Sequence, residues 1–161
     1  MITHRIALPI LLLAACLSSA ATLPDIEGRV VGVHDGDTIT LLTADKTQIK
    51  IRLEGIEAPE SKQAFGNRAK QELSGLIFDK QVVIKNHGVD LYGRTLGRII
   101  CGNLDVNLEM VKRGMAWHFL KYSKEKALAD AEKEASEAKR GLWADKKPVP
   151  QWEYRKAKKA K

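Results

Sequence analysis

The sequence predicts an α+β protein with a mainly β core, a five-stranded OB-type barrel with helical additions. Three observations predict it. Five short β-rich runs are bounded by turn signals, which is the strand count of such a barrel. The apolar period changes from two to about 3.6 between the third and fourth runs, and again after the fifth. No repeat recurs at a spacing of about 20–50 residues, so the elements belong to one unit and not to an array. A chain of 161 residues, 44% apolar, with a mean hydropathy of −0.26, fits one globular domain. That balance excludes a disordered chain and a protein of many membrane spans.

The first 21 residues stand apart from the fold. Arg5 and the amino terminus make a short positive region, and Ile6 to Cys16 is an apolar run of 11 residues. That length falls within the ~7–15 residues of a signal-peptide core. The small residues Ser19, Ala20 and Ala21 follow as a cleavage site. Leu13-Ala14-Ala15-Cys16 also has the form of a bacterial lipobox, in which Cys16 is lipidated and becomes the new terminus. Both readings predict export. The first gives a periplasmic or secreted protein, the second one anchored to the envelope by its lipid. Cys101 is then the one cysteine of the domain, so no intrachain disulfide is expected. It reads as a small buried hydrophobe at a strand end.

Residues 26–34 (IEGRVVGVH) form the first strand, Asp35-Gly36 a turn, and residues 38–42 the second strand. After a turn at residues 44–46, residues 48–53 alternate polar and apolar as a half-buried strand does. Phe65, Ala69, Leu73 and Leu76 recur at helical spacing, which predicts a helix over 62–76 capped by Ser61. Residues 81–85 and 95–101 read as the last two strands. Asn107 is positioned to cap a short helix through Met115, and Ser123 a longer one through Lys139, with Gly141 beyond its end.

The net charge of +7 is unevenly placed. Residues 22–145, the predicted domain, carry 19 Lys+Arg and 19 Asp+Glu and are neutral. Residues 146–161 carry seven basic residues and only Glu153. Such a tail suits nonspecific contact with polyanions, or it is a solvated end. Trp152 and Tyr154 favour docking of its first part.

Four clusters carry chemistry. In His34-Asp35-Gly36-Asp37-Thr38 two carboxylates flank a glycine, as a hairpin turn or as oxygens for a hard cation. In Arg52-Leu53-Glu54-Gly55-Ile56-Glu57-Ala58-Pro59-Glu60 one guanidinium precedes three carboxylates on a loop stiffened by Pro59. Asp90-Leu91-Tyr92-Gly93-Arg94 presents an arginine from a turn. Gly141-Leu142-Trp143, with Pro148, Pro150 and Trp152, reads as an apolar anchor for the C-terminal segment. Together they supply acids for one divalent cation, two arginines for a phosphate and a spare carboxylate. That inventory suits phosphodiester hydrolysis.

At these strings the chain resembles the staphylococcal nuclease family. The resemblance runs from about Ile26 to Trp152, through DGDT at 35–38, RLEGIEAPE at 52–60, DLYGR at 90–94, VNLEMVKRGMAW at 106–117, RGLW at 140–143 and PQWEYR at 150–155. It implies an OB-fold barrel with three helices and calcium-dependent cleavage of DNA and RNA with little sequence preference, leaving 3′-phosphate ends. Carried over by position, Asp37, Glu57 and the Ala58 carbonyl resemble the Ca²⁺ ligands, with Asp35 as a nearby second acid. Glu60 resembles the carboxylate that activates or orients water. Arg52 and Arg94 resemble the pair on the scissile phosphate, and Tyr92 and Tyr122 the nucleotide-contacting tyrosines. Three positions depart from the family pattern. Glu57 stands for an aspartate, Ala58 for a threonine, and Leu91 for a lysine or arginine. A monomer acting on DNA and RNA is expected. The alternatives are a noncatalytic nucleic-acid or peptide-binding module on the same barrel, and an envelope lipoprotein.

Overall fold

The elements run β1 (Ile26–Val33), β2 (Thr38–Leu42), β3 (Gln48–Leu53), β4 (Ile56–Glu57), α1 (Gly66–Ile77), β5 (Gln81–Val89), β6 (Thr95–Cys101), β7 (Leu104–Asp105), α2 (Val106–Lys112), β8 (Trp117–His118), α3 (Lys126–Glu137), a 3-10 turn (Gly141–Ala144) and α4 (Gln151–Lys159). The structure, a computed structural model, describes residues 22–160. The signal-peptide and Cys16 readings lie outside the described residues.

The first three strands form an antiparallel meander, and β5 and β6 a second antiparallel pair against β1. A parallel pairing of β3 with β6, Ile51 opposite Thr95 and Leu53 opposite Gly97, closes the five strands into a barrel. Closure leaves no free edge along that seam. The inward residues Val30, Ile39, Leu41, Ile51, Ile84 and Ile99 are fully buried. Ala69, Leu73 and Ile77 of α1 and Met110 and Val111 of α2 cover the same core. The predicted α+β barrel is therefore present, with four α-helices where three were expected.

Helix boundaries differ from the sequence expectation for local reasons. α1 begins at Gly66, not after Ser61. Residues 60–66 are tied in turns, with Gln63 N–H on the Glu60 carbonyl and Gly66 N–H on the Gln63 carbonyl. α2 is capped by Asp105, which accepts the Leu108 N–H, and not by Asn107. Asn107 is buried inside α2. Its Oδ1 accepts the Ile99 N–H, and its Nδ2 donates to the carbonyls of Glu54 and Gly97. One side chain thus ties β6 to the loop leaving β3, beside the seam. Ser123, three residues before α3 starts, accepts the Glu125 N–H and does not cap the helix itself. Cys101 is half-buried and packs beside the core, less enclosed than the sequence predicted.

Two segments cross where Gly114 and Gly141 meet. Leu142 N–H donates to the Gly114 carbonyl, and a Cβ on either glycine would lie 2.2 Å from a backbone oxygen of the other segment. Both adopt positive φ, 67° and 54°. This crossing sets Trp143 edge-on against Trp117, with ring centres 6.5 Å apart. Trp152 of α4 packs on Trp117 from a second direction and stacks on Phe119 at 5.7 Å. Rings at such separations add attraction beyond their buried area.

Candidate active site

The β1–β2 turn delivers the first acid. Asp35 Oδ1 accepts the Asp37 N–H at 3.0 Å, which closes the turn. Gly36 is packed so closely that a Cβ there would sit 2.6 Å from Ala58 Cβ and 2.7 Å from Ala69 Cβ. Asp37 is thereby driven inward and is buried. Its Oδ2 accepts the Ala58 N–H at 2.6 Å, and its Oδ1 accepts the Thr38 hydroxyl at 3.1 Å.

The loop after β3 delivers the second. β4 pairs with β8, Glu57 opposite Trp117, and this ribbon buries the Glu57 carboxylate. Arg52 lies between the two acids, its Nη1 2.8 Å from Asp37 Oδ2 and its Nη2 3.1 Å from Glu57 Oε2. It also donates to the carbonyls of Asp37, Leu53 and Ile56. The guanidinium is thus nearly enclosed, and both of its Nη groups are committed to the protein.

Burial dominates the protonation of both acids. It pushes the Asp37 carboxyl up to about 7 against the pull of Arg52, and nearby Asp35 adds to the rise. Burial likewise raises Glu57, opposed by Arg52, Arg155 and Arg94, while Glu60 raises it further. In the metal-free protein this has a consequence of definite sign. The unfolded chain gives up the Asp37 proton near pH 4 and the folded chain near 7, so between them the folded state binds more protons. Stability therefore falls as pH rises from about 4 to 7. Chemical denaturation in chelator at several pH values measures the slope. Asp37→Asn is expected to flatten it, and an unchanged slope in that variant would reject the assignment.

Of the remaining predicted residues, Ala58 bonds to Asp37, and Glu60 and Arg94 lie within electrostatic reach of Glu57, whereas no contact joins Tyr92 or Tyr122 to the two acids among the described residues. Ala58 is buried beside Asp37. Glu60, part-exposed, stands at the turn before α1. Arg94 enters β6 from the turn at residues 90–93, with Nε and Nη2 on Asp90 at 2.8 and 2.7 Å. Asp90 also receives the Tyr92 and Arg94 N–H groups, which brace the turn. Tyr92 is exposed beside the Arg94 guanidinium, 5.5 Å from ring centre to Cζ. Tyr122 is exposed and packs edge-on to Phe119 at 4.9 Å. Leu91 is entirely exposed.

These donors fit a hard cation. Glu57 Oε2 is buried and accepts no hydrogen bond, although it is ion-paired with Arg52 by distance. A buried carboxylate oxygen that accepts no hydrogen bond, next to a second buried carboxylate, is the kind of oxygen donor a hard divalent cation takes. Among the described residues no three His, Cys, Asp or Glu side chains converge on one point. The buried side-chain oxygens available to such a cation are those of Asp37 and Glu57.

Two residues of the site were missed in the sequence. Gln151 Nε2 and Arg155 Nε, both on α4, donate to Glu60 Oε1 at 2.8 and 2.5 Å. The signal available was their i, i+4 spacing around Trp152 in a string that resembles the family.

The staphylococcal nuclease homologue family matches residues 50–145. A Haemophilus influenzae protein described as an uncharacterized endonuclease is 41% identical over 159 residues, 99% of this chain and 89% of its own. Micrococcal nuclease of Shigella flexneri is 41% identical over 146 residues, 84% of this chain and 83% of its own. The protein ParB of Escherichia coli is 36% identical over 156 residues, 89% and 87% of the two chains. With the barrel and its acid–arginine site, these matches establish that the chain belongs to the staphylococcal nuclease family.

Proposed function

We propose that the protein is a calcium-dependent endonuclease that hydrolyses phosphodiester bonds of DNA and RNA with little sequence specificity and leaves 3′-phosphate ends. Endonuclease chemistry as such rests on the family and on relatives named as nucleases. The observation that carries the finer reading is the pair of buried carboxylates, Asp37 and Glu57, joined through Arg52 and lying within electrostatic reach of Glu60 and Arg94.

Asp37, Glu57 and the Ala58 carbonyl would hold Ca²⁺, which when bound supplies Lewis-acid polarisation of a phosphoryl oxygen. Glu60 accepts a proton from water as its oxygen attacks phosphorus. The bond from phosphorus to the 5′ oxygen breaks, and that oxygen takes a proton from solvent. Arg94 neutralises the negative charge that grows on the phosphoryl oxygens. Arg52 holds the two acids in register and adds positive charge beside them. Tyr92 and Tyr122 offer exposed rings on which bases stack. The exposed lysines of α4, Lys156, Lys158 and Lys159, add nonspecific phosphate contacts.

The protein acts outside the cytoplasm, supported by the signal-like residues 1–21, either free or anchored through Cys16. No helix of the described residues is long and apolar enough to cross a membrane.

Digestion of heat-denatured DNA by the purified protein, with Ca²⁺ and with chelator, tests the proposal. Cleavage with Ca²⁺ that stops on chelation is expected, with 3′-phosphate ends on the products. A folded protein that cuts with neither Ca²⁺, Mn²⁺ nor Mg²⁺ would overturn it in favour of a binding module.

A further inference from the structure

Glu60 sits on a turn with its side chain about one-third exposed. A carboxylate so placed samples several rotamers, whereas a group that takes a proton from an attacking water must be held in place. The chain supplies the restraint from far along its length. Trp152 is wedged against Trp117 and Phe119, and this sets the rotation of α4 about its axis. Gln151 and Arg155, one helical turn apart, then share the face turned to the 60–63 turn. Gln151 is buried there.

The same turn is held by one bond within it and by two more to the C-terminal segment. Gln63 Oε1 accepts the Glu60 N–H, Gln63 Nε2 donates to the Val149 carbonyl, and the Tyr154 hydroxyl donates to the Lys62 carbonyl. Both side-chain bonds to the Glu60 carboxylate fall on Oε1, and among the described residues no hydrogen bond falls on Oε2. One oxygen is anchored and the other is left for water.

We propose that α4 completes the active site, with Arg155 and Gln151 acting as positioning residues that hold the Glu60 carboxylate toward the reacting water. The inference rests on the nuclease reading of Glu60. It is not a stability device. The Arg155 side chain is more than half exposed, and exposed ion pairs add little to folding.

Arg155→Ala, Arg155→Lys, Gln151→Ala, Glu60→Gln and the Glu60→Gln/Arg155→Ala double variant of the full chain test it. The readouts are kcat and KM on denatured DNA, Ca²⁺ affinity by calorimetry, and thermal unfolding. Arg155→Ala is expected to lower kcat about 10–100-fold, the usual effect of removing a partner that orients a functional group. KM and the unfolding temperature stay close to the parent, and kcat is compared at saturating Ca²⁺ because the Arg155 charge also acts on Glu57. Arg155→Lys recovers part of kcat, and Gln151→Ala moves kcat the same way by less. In the Glu60→Gln background Arg155→Ala costs nothing more, because the residue acts through Glu60.

A raised KM at unchanged kcat, or additive losses in the double variant, would mean that Arg155 touches substrate directly, and would overturn the proposal. An active parent with an equally active Arg155→Ala would overturn the inference alone. A folded but inactive parent would overturn the nuclease reading with it. Should Gln151→Ala unfold, the exposed Arg155 variants still decide the question.

Discussion

Arg94→Ala is expected to cut cleavage about 10²–10³-fold and to leave the protein folded, the loss typical of one preorganised donor to a developing negative charge. The structure separates the two effects. Arg94 is about a quarter exposed, and its ion-pair partner is Asp90 on its own turn. Asp90 keeps the backbone N–H groups of Tyr92 and Arg94 when the guanidinium is gone, so the turn survives. Steady-state kinetics with Ca²⁺, alongside thermal unfolding, measure both. Full turnover by Arg94→Ala would remove Arg94 from the mechanism and with it the arginine-assisted reading of the site.

Arg52→Met is expected to lose activity and stability together. Methionine keeps much of the volume, so the loss reports charge and hydrogen bonding more than packing. Arg52 is the ion-pair partner of two buried carboxylates and donates to three backbone carbonyls. Removing one partner of a buried pair costs about 3–5 kcal/mol, because the other charge is left without compensation. That cost depends on pH in a known direction. Without Arg52 the Asp37 and Glu57 carboxyls rise further, take protons in acid and become neutral. The deficit relative to the parent is therefore smaller at pH 5 than at pH 8. Denaturant titrations at the two pH values measure it. Equal deficits would assign the loss to packing and would remove the charge cluster as its cause.

The two arginines thus differ in a way that the sequence did not show. Both were expected on the scissile phosphate. Arg94 is open enough to reach a ligand, while Arg52 is enclosed by acids and carbonyls of its own chain. The reason is burial, which depends on the β4–β8 ribbon covering Glu57. Two-residue strands carry almost no sequence signal, and β4, β7 and β8 were all missed. Asn107 was misread for a related cause. A polar residue at a helix start reads as a cap, but here it bonds to β6 and to the loop after β3.

What the sequence determined by itself is local. Alternation at residues 48–53 marks β3, the Asp35-Gly36 pair marks the β1–β2 turn, and the order of the acid and arginine strings marks the family and the candidate residues. The first two signals need only neighbours within a few residues, and the third only the order of short strings along the chain. What the tertiary structure alone decided is non-local. The parallel β3–β6 seam closes the barrel and brings the neighbourhoods of Arg52 and Arg94 side by side. The tryptophan contacts set α4 so that Arg155 reaches Glu60 across 95 residues. Neither is legible in one dimension, because an ion pair or a strand pairing between distant segments leaves no period or spacing in the chain. It exists only once the intervening core has packed.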